Sequence, residues 1–103
     1  MTANGKNLVL AFLSRLTGRT KAEAIALLKL LKERGNLLGM PRSRPLGDKL
    51  FELRGNQVRI FYMFRPGRRI TLLDGMVKKR ERIPARVLDH LRKCQKDVEA
   101  THD

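Results

Sequence analysis

A chain of 103 residues, 42% of them hydrophobic, is long enough for one domain with one modest core. Its formal net charge of +13 indicates a polyanionic partner, namely nucleic acid, an anionic membrane surface or an acidic protein; the alternative is a simply solvated basic surface. The longest apolar run, residues 8–13, is far shorter than the roughly 20 residues of a membrane-spanning helix, and the single cysteine, Cys94, excludes an internal disulfide. These features predict a cytoplasmic protein without a membrane partner.

The first third of the chain has the pattern of two helices joined by a short turn. Residues 7–17 are apolar on most sides and predict a short, buried helix, which the Thr-Gly-Arg sequence at 17–19 interrupts. Thr20 and Glu23 have the spacing of a capping box, which predicts that the second helix begins there. Gly35 ends this helix. Its apolar face follows the helical repeat and consists of Ala24, Leu27, Leu28 and Leu31.

The middle of the chain predicts three consecutive strands that follow a loop rich in glycine, proline and arginine. The loop covers residues 36–48, and the strands cover 49–54, 57–64 and 68–77. A two-residue turn at Gly55-Asn56 joins the first two strands and places Glu52 opposite Arg59 and Leu53 opposite Val58. In this register Glu52, Arg54 and Arg59 share one face of the sheet. That face is predicted to carry charge, and the other, apolar face is predicted to pack on the helices.

The last predicted element is a helix whose first turn contains Pro84, a residue suited to that position. Its apolar stripe consists of Val87, Leu88, Leu91, Cys94 and Val98. The elements together predict an α+β fold in a single domain, 1–103, with a helical hairpin, a three-stranded antiparallel sheet and a C-terminal helix. Residues 1–6 and 99–103 are predicted to be disordered.

Basic residues concentrate at the end of the third predicted strand, in the sequence Lys-Lys-Arg-Glu-Arg at 78–82, and recur inside the strands at Arg54 and Arg59. A strand holds cations at a defined spacing, whereas a disordered basic tail only raises the local charge. Fixed cations can stabilise the negative charge that develops on a phosphodiester during its cleavage. The alternatives are a solvated loop for residues 78–82 and a cross-strand ion pair between Arg59 and Glu52.

Four motifs then occur in a fixed order. They are Phe-Glu-Leu-Arg at 51–54, Arg-Ile-Phe-Tyr at 59–62, Leu-Leu-Asp-Gly-Met-Val-Lys-Lys at 72–79, and Pro84. Together with Leu-Gly-Met-Pro at 38–41, they resemble the RelE superfamily of toxins, and within it the HigB-like, phage-derived branch of toxin–antitoxin systems. The resemblance extends over residues 7–98, so it implies a RelE-like fold for nearly the whole chain.

Toxins of this kind are ribonucleases that cut messenger RNA in the ribosomal decoding site, and a co-encoded antitoxin, commonly a helix-turn-helix DNA-binding protein, silences them. The resemblance therefore implies a metal-independent endoribonuclease without a cofactor, with an antitoxin, the ribosome and messenger RNA as partners. It implies that Arg80 stabilises the transition state and that Arg59 contacts phosphate. Lys78 and Lys79 follow the family's paired lysines, one for proton transfer or phosphate binding and one for electrostatics. The predicted RNA-binding residues are Arg54, Arg82, Lys49 and Arg68.

The chain departs from this family pattern at three places. The usual opening strand before the helical hairpin is missing from the predicted elements. Asp74 occupies the strand position usually held by histidine, and Met76 the position of a phenylalanine. RelE has a catalytic tyrosine near the start of its last helix, where residues 86–88 are Arg-Val-Leu here. Two alternatives therefore stay open: a non-catalytic module that binds RNA, the ribosome or an antitoxin, and a ParE-like inhibitor of DNA gyrase, against which the dense basic cluster argues.

The remaining reactive side chains predict no other chemistry. Tyr62, the only tyrosine, falls on the apolar face of the sheet and is predicted to be a core residue, as is Cys94. His90 lies off the apolar stripe of the last helix and is predicted to be a surface residue, and His102 has no assigned role. No cysteine and histidine residues have metal-ligand spacing, and no serine has the companions of a hydrolase nucleophile.

Overall fold

Three helices flank a four-stranded sheet in the computed structural model, which describes residues 3–78 and 82–100. The helices are α1 (Ala3–Arg15), α2 (Gly18–Arg34) and α3 (Ala85–Ala100), and a single 3₁₀ turn, Gly35–Leu37, follows α2. The strands are β1 (Ser43–Gly47), β2 (Leu50–Arg54), β3 (Val58–Arg65) and β4 (Arg69–Val77). The fold is α+β, as predicted, and helix extends into both terminal segments that were predicted to be disordered.

The sheet is antiparallel, has the order β1-β2-β3-β4, and contains one strand more than predicted. The additional strand, β1, lies within residues 36–48, which the sequence assigned to a loop. Its Pro45 cannot donate a ladder hydrogen bond, and such a residue normally argues against a strand. An edge strand pairs on one side only, so it tolerates proline, and β1 is an edge strand of this sheet. The loop assignment was therefore wrong because it could not take account of the strand's place in the sheet.

The register between β2 and β3 differs from the prediction by one residue in each strand. Arg54 lies opposite Arg59, and Leu53 lies opposite Ile60 rather than Val58. The cause is the turn, which is closed by a 2.9 Å hydrogen bond from the Gly55 N–H to the Val58 carbonyl. Moving each strand by one residue preserves which side chains share a face, so Glu52, Arg54 and Arg59 still lie together as predicted.

Both faces of the sheet are covered by helices. The helical hairpin α1–α2 packs on one face, which we call the hairpin face. Its core consists of Phe12, Leu16, Ala24, Leu27, Leu31, Leu53, Val58, Ile60 and Tyr62. The ring of Phe12 lies directly on Gly75 of β4, where a Cβ atom would overlap it. This close contact fixes α1 against β4.

The opposite face, which we call the α3 face, is apolar over much of its area, and this corrects the prediction of a charged face. Its core consists of Leu50, Phe61, Met63, Leu73, Leu91 and Val98. The predicted stripe of α3 is confirmed, because Leu91 and Val98 are buried and Val87, Leu88 and Cys94 pack around them. The charged strand residues Glu52, Arg54 and Arg59 lie at the end of this face at which β2 ends and β3 begins, whereas Arg65 lies at the opposite end, near Glu99 of α3.

Glu23 does not form the predicted capping box. α2 begins at Gly18, with Thr17 as its N-cap residue and without a side-chain capping bond. The Glu23 carboxylate instead accepts hydrogen bonds from the backbone N–H groups of Asn56, Gln57 and Val58 at 2.8–2.9 Å. Burial raises the pKa of this carboxyl, but the three backbone bonds and nearby Arg42 outweigh it, so the net pKa is lowered. Glu23 therefore ties α2 to the β2–β3 turn.

Helix α3 begins directly after Pro84, whose carbonyl accepts hydrogen bonds from the N–H groups of Val87 and Leu88. Two polar side chains then attach α3 to the β1–β2 turn. Arg92 donates to the carbonyls of Leu46 and Gly47 at 3.2 and 3.0 Å, and the Gln95 amide donates to the Asp48 carbonyl at 2.8 Å. The second half of α3 therefore lies against the β1–β2 turn. No helix among residues 3–78 and 82–100 is long and apolar enough to cross a membrane.

Candidate nucleic-acid interface

The strand charges of the α3 face are arranged in two neighbouring rows. Antiparallel partners share a face, so one row runs across all four strands through Arg44, Glu52, Phe61 and Asp74. The next row contains Arg54, Arg59 and Met76. We call the residues Arg44, Glu52, Arg54 and Arg59 the strand-cation cluster. Regular strands on a packed sheet give these side chains fixed positions.

Glu52 is the centre of the strand-cation cluster and is only 3% exposed. Its two carboxylate oxygens lie 3.5 Å from Arg59 Nε and 3.6 Å from Arg54 Nε. Arg59 is 6% exposed, and its Nη1 also donates to the carbonyls of Gly55 and Val58. The predicted ion pair between Arg59 and Glu52 is therefore present, and it is buried. Arg59 lies beneath the surface and pairs with the same carboxylate that faces Arg54.

Two arginines of the strand-cation cluster reach the surface. The side chain of Arg54 is 26% exposed, so part of it is accessible to a phosphate; its Nε lies 3.6 Å from Glu52 Oε1, to which no described residue donates a hydrogen bond. Arg44 is exposed on β1 opposite Glu52. Sequence reasoning missed Arg44 because its segment was assigned to a loop. The signal that could have found it is the alternation of Arg42, Ser43 and Arg44 before a glycine turn.

The basic segment after β4 is described only at its two ends. The backbone N–H of Lys78 donates to the Gln57 carbonyl at 2.6 Å, which places Lys78 beside the β2–β3 turn and its half-buried side chain near this end of the sheet. Arg82 is exposed shortly before α3 begins. Lys79 and Arg80, which the resemblance implies to be catalytic, lie outside the described residues. Arg54, Arg59 and Lys78 thus belong to the same end of the sheet.

Two predicted RNA-binding residues lie at the opposite end of the sheet. Lys49 is in the β1–β2 turn, 4.0 Å from the Glu99 carboxylate, and Arg68 is in the β3–β4 turn. The eight residue steps of β4 separate Arg69 from Val77 by about 27 Å at the usual rise of a strand. An open groove of about 340 Å³ beside Lys49 mixes cations with the carboxylates of Asp48 and Glu99. The structure therefore does not bring Lys49 and Arg68 together with Arg54 and Lys78.

A histidine–aspartate pair lies on the same face as the strand-cation cluster. His90 Nε2 of α3 is 2.8 Å from Asp74 Oδ2 of β4, and the other oxygen of Asp74 accepts the Gly75 N–H at 2.7 Å. Cys94 Sγ lies 3.6 Å from His90 Nε2, and burial, followed by Asp74 and Asp97, raises the pKa of this thiol. Although Asp74 replaces the strand histidine of the resembled family, an imidazole from α3 thus lies beside it. Periodicity alone placed His90 on the surface, where its side chain is 46% exposed.

A comparison with protein families finds one that matches most of the chain. The family described as Phage derived protein Gp49-like (DUF891) matches residues 11–96, which span α1 to α3. The chain belongs to this Gp49-like family. The family is RelE-like, and membership in it is compatible with a toxin of a toxin–antitoxin system. The partner of such a toxin is an antitoxin. A search among curated proteins gives no match.

The tyrosine of this Gp49-like protein is a core residue, as predicted. Tyr62 is fully buried on the hairpin face, and its hydroxyl forms a short hydrogen bond with Ser43 Oγ. Its ring stacks on Phe51 with the centroids 5.5 Å apart and meets Phe64 edge-on. Burial raises the pKa of this phenol. Tyr62 therefore lies on the other side of the sheet from the strand-cation cluster. Among the described residues, no group of three or more His, Cys, Asp or Glu side chains is arranged to hold a metal ion.

Proposed function

We propose that this Gp49-like protein is the toxin of a type II toxin–antitoxin system and acts as a ribosome-dependent endoribonuclease on messenger RNA. The observation that carries the proposal is the strand-cation cluster, in which buried Glu52 lies between Arg59 and the partly exposed Arg54, at the end of the sheet where Lys78 follows β4. A purely solvated basic surface does not require a buried carboxylate to direct its arginines. Membership of a family compatible with toxins supports the same function.

The chemistry requires no metal. The ribose 2′-hydroxyl loses its proton and attacks the adjacent phosphorus, the bond from phosphorus to the 5′-oxygen breaks, and that oxygen takes up a proton. The products are a 2′,3′-cyclic phosphate and a 5′-hydroxyl. Preorganised cations stabilise the negative charge that accumulates on the phosphate oxygens, and in this proposal Arg80 and Arg54 supply them. Lys78 and Lys79 strengthen the field, and one of them exchanges protons with the substrate.

The proposed protein partner is an antitoxin that places an acidic or helical segment on the cationic end of the sheet. A helix-turn-helix DNA-binding protein encoded next to the toxin is the partner that the resemblance implies. Masking Arg44, Arg54 and Lys78 with carboxylates would neutralise the same cations that bind RNA, so inhibition and RNA binding would be mutually exclusive. A neighbour-encoded partner that binds equally well after Lys78, Lys79 and Arg80 are all changed to alanine would contradict this.

The test is mapping of messenger-RNA cuts by primer extension in a purified translation reaction. Wild type, Arg80→Ala, and wild type without ribosomes are compared, with Arg68→Ala as the matched control because Arg68 lies at the other end of the sheet. We expect cuts that need ribosomes, decrease at least 100-fold in rate with Arg80→Ala, and persist with Arg68→Ala, since one charge-stabilising group contributes about 10²–10³ in rate. Absence of cuts in the wild-type reaction with ribosomes present would overturn the proposal.

A second candidate is a non-catalytic module that binds RNA, the ribosome or an antitoxin through charge. The observation that favours it is the burial of Arg59, because its guanidinium already bonds to Glu52 and to two backbone carbonyls. The absence of a tyrosine near the start of α3 points the same way. Ribosome binding without any cuts, together with overexpression that does not slow growth, would select this candidate.

A further inference from the structure

We propose that His90, positioned by Asp74, is the proton donor to the leaving 5′-oxygen in the RNA cleavage described above; this inference rests on the proposed function. The resembled family carries a histidine on the strand at the position of Asp74. In this chain the strand provides a carboxylate instead, and α3 provides the imidazole. The assignment makes Asp74 a positioning residue and His90 a catalytic residue.

A β-bulge in β4 places Asp74 on the correct face of the sheet. Phe61 pairs with Asp74 and Tyr62 pairs with Leu72, so Leu73 is an extra residue in β4. In a regular strand without a bulge, Leu72 and Asp74 are two residues apart and would point to the same face, since side chains alternate along a strand. With it, Leu72 packs on the hairpin face and Asp74 lies on the α3 face. Bulges recur near active sites because they redirect a side chain in this way.

The same register places Asp74 next to the row of side chains that contains Arg54 and Arg59. Arg59 pairs with Met76, two residues beyond Asp74, so Arg59 and Asp74 are diagonal neighbours. Such neighbours lie about 7–8 Å apart at their Cα atoms. Asp74, and with it the His90 imidazole that contacts it, therefore lies on the same face as Arg54 and Arg59, in the neighbouring row of side chains.

The hydrogen bond between His90 and Asp74 determines which nitrogen can transfer a proton. With the Asp74 carboxylate as acceptor, His90 Nε2 donates in this contact and Nδ1 is the ring nitrogen left to transfer a proton, with Cys94 Sγ 4.0 Å from it. The other titratable or charged groups around the ring are Cys94, 3.6 Å from Nε2, and Arg86 and Lys93, one turn away along α3. Asp74 is the carboxylate from β4 that faces the ring.

The proposed step keeps protons balanced. The protonated imidazole gives its Nδ1 proton to the 5′-oxygen as the bond from phosphorus to that oxygen breaks, while the 2′-hydroxyl proton passes to the neutral amine of Lys78 or Lys79, which later releases it to solvent. The neutral imidazole is then protonated again by solvent. Histidine suits this role because it is the side chain that ordinarily titrates near neutral pH.

The kinetic test compares His90→Gln with His102→Gln, the chain's other histidine, in the translation reaction with ribosomes. We expect His90→Gln to lower the cleavage rate at least 100-fold, since general acid catalysis contributes about 10²–10⁴. We also expect the pH dependence of the cleavage rate to differ from that of the wild type, a change that a merely structural role would not produce. His102→Gln should cut as the wild type does. Wild-type rates and pH profile in His90→Gln would overturn the inference.

A binding measurement tests the inference independently of cleavage. In His102→Gln protein, the imidazole proton resonances in the NMR spectrum belong to His90 alone. Titration with a 2′-O-methyl RNA trinucleotide, which has no 2′-hydroxyl and cannot be cut, should shift these resonances to saturation. Resonances that stay unchanged at millimolar RNA would overturn the inference even if the wild type cuts messenger RNA. Shifted resonances together with no cuts would retain His90 at the phosphate site and reject the nuclease function instead.

Discussion

At the scale of single residues, Glu52 shows how burial changes the role of a charge. The resemblance implies that Arg59 contacts phosphate, but Arg59 and Glu52 are both nearly inaccessible and bind each other. A buried ion pair contributes little net stability against an apolar replacement, yet removal of one partner leaves a charge without compensation. Arg59 therefore lies beneath the site, and the partly exposed side chain of Arg54 is the one of the two that can reach RNA.

We expect Glu52→Gln to lower the free energy of unfolding by about 3 kcal/mol, because it leaves buried Arg59 beside a neutral amide. The matched control is Glu99→Gln, which breaks the exposed contact with Lys49 and should change the stability by less than about 0.5 kcal/mol. Urea unfolding followed by circular dichroism measures both. A loss below 1 kcal/mol in Glu52→Gln would mean that water reaches the pair.

At the scale of elements, the β2–β3 turn is held from outside the sheet. Glu23 of α2 accepts three consecutive backbone N–H groups of this turn, so the turn that carries Arg54 and Arg59 depends on the helical hairpin. Gly55 leaves space for the contact, because a Cβ atom there would lie 2.6 Å from Glu23 Oε1. The same end of the sheet is joined to Lys78 through Gln57. A change in α2 can therefore disturb the candidate site on the other face.

We expect Glu23→Gln to lower stability at pH 7 by about 1 kcal/mol, since the bonds of a charged acceptor are replaced by those of a neutral one. The pKa of Glu23 is lowered in the folded protein, so the ionised group stabilises the fold fully above its ordinary value of 4.5, and this contribution is lost as pH falls through the lower folded value. The difference between wild type and Glu23→Gln should therefore vanish in acid. Urea midpoints at pH 7, 5 and 3 measure it, and a difference that is constant with pH would contradict the assignment.

At the scale of the whole molecule, net charge and its distribution have different consequences. A charge of +13 attracts RNA to every face of the protein, and long-range attraction of this kind is not specific. Specific contact requires cations that meet several phosphates at once. The exposed Arg44 and the partly exposed Arg54 belong to one end of the sheet, whereas Lys49 and Arg68 belong to the other.

Salt dependence of RNA binding separates these two contributions. The logarithm of the affinity for single-stranded RNA should fall with the logarithm of salt concentration, with a slope of about −0.7 per phosphate contacted. We expect Arg44→Ala and Arg54→Ala each to reduce the slope by about 0.7, and Arg68→Ala to leave it nearly unchanged. Fluorescence anisotropy with a labelled single-stranded RNA measures the slopes. Equal reductions in all three variants would show that RNA binds through the overall charge.

Local patterns were sufficient for most of the elements and for part of the site. Helical periodicity predicted α2 and α3, alternation predicted β2 to β4, and parity predicted that Glu52, Arg54 and Arg59 share a face, because these features depend on neighbours within a few residues. Lys78 lies beside the β2–β3 turn, at the end of the sheet that carries Arg54 and Arg59, and the roles of Lys78 and Arg82 stay predictions. Whether Arg80 and Lys79 act in catalysis stays a prediction.

Only the tertiary structure decided the features that depend on distant partners. β1 is a strand because it pairs along the edge of β2, and Glu23 serves the β2–β3 turn instead of its own helix. Arg59 is buried because strand pairing and the β2–β3 turn enclose it. His90 meets Asp74 because a bulge and the docking of α3 bring together residues 16 positions apart. The physical reason is common to these cases: sequence determines which side chains each element presents, and packing determines what each of them meets.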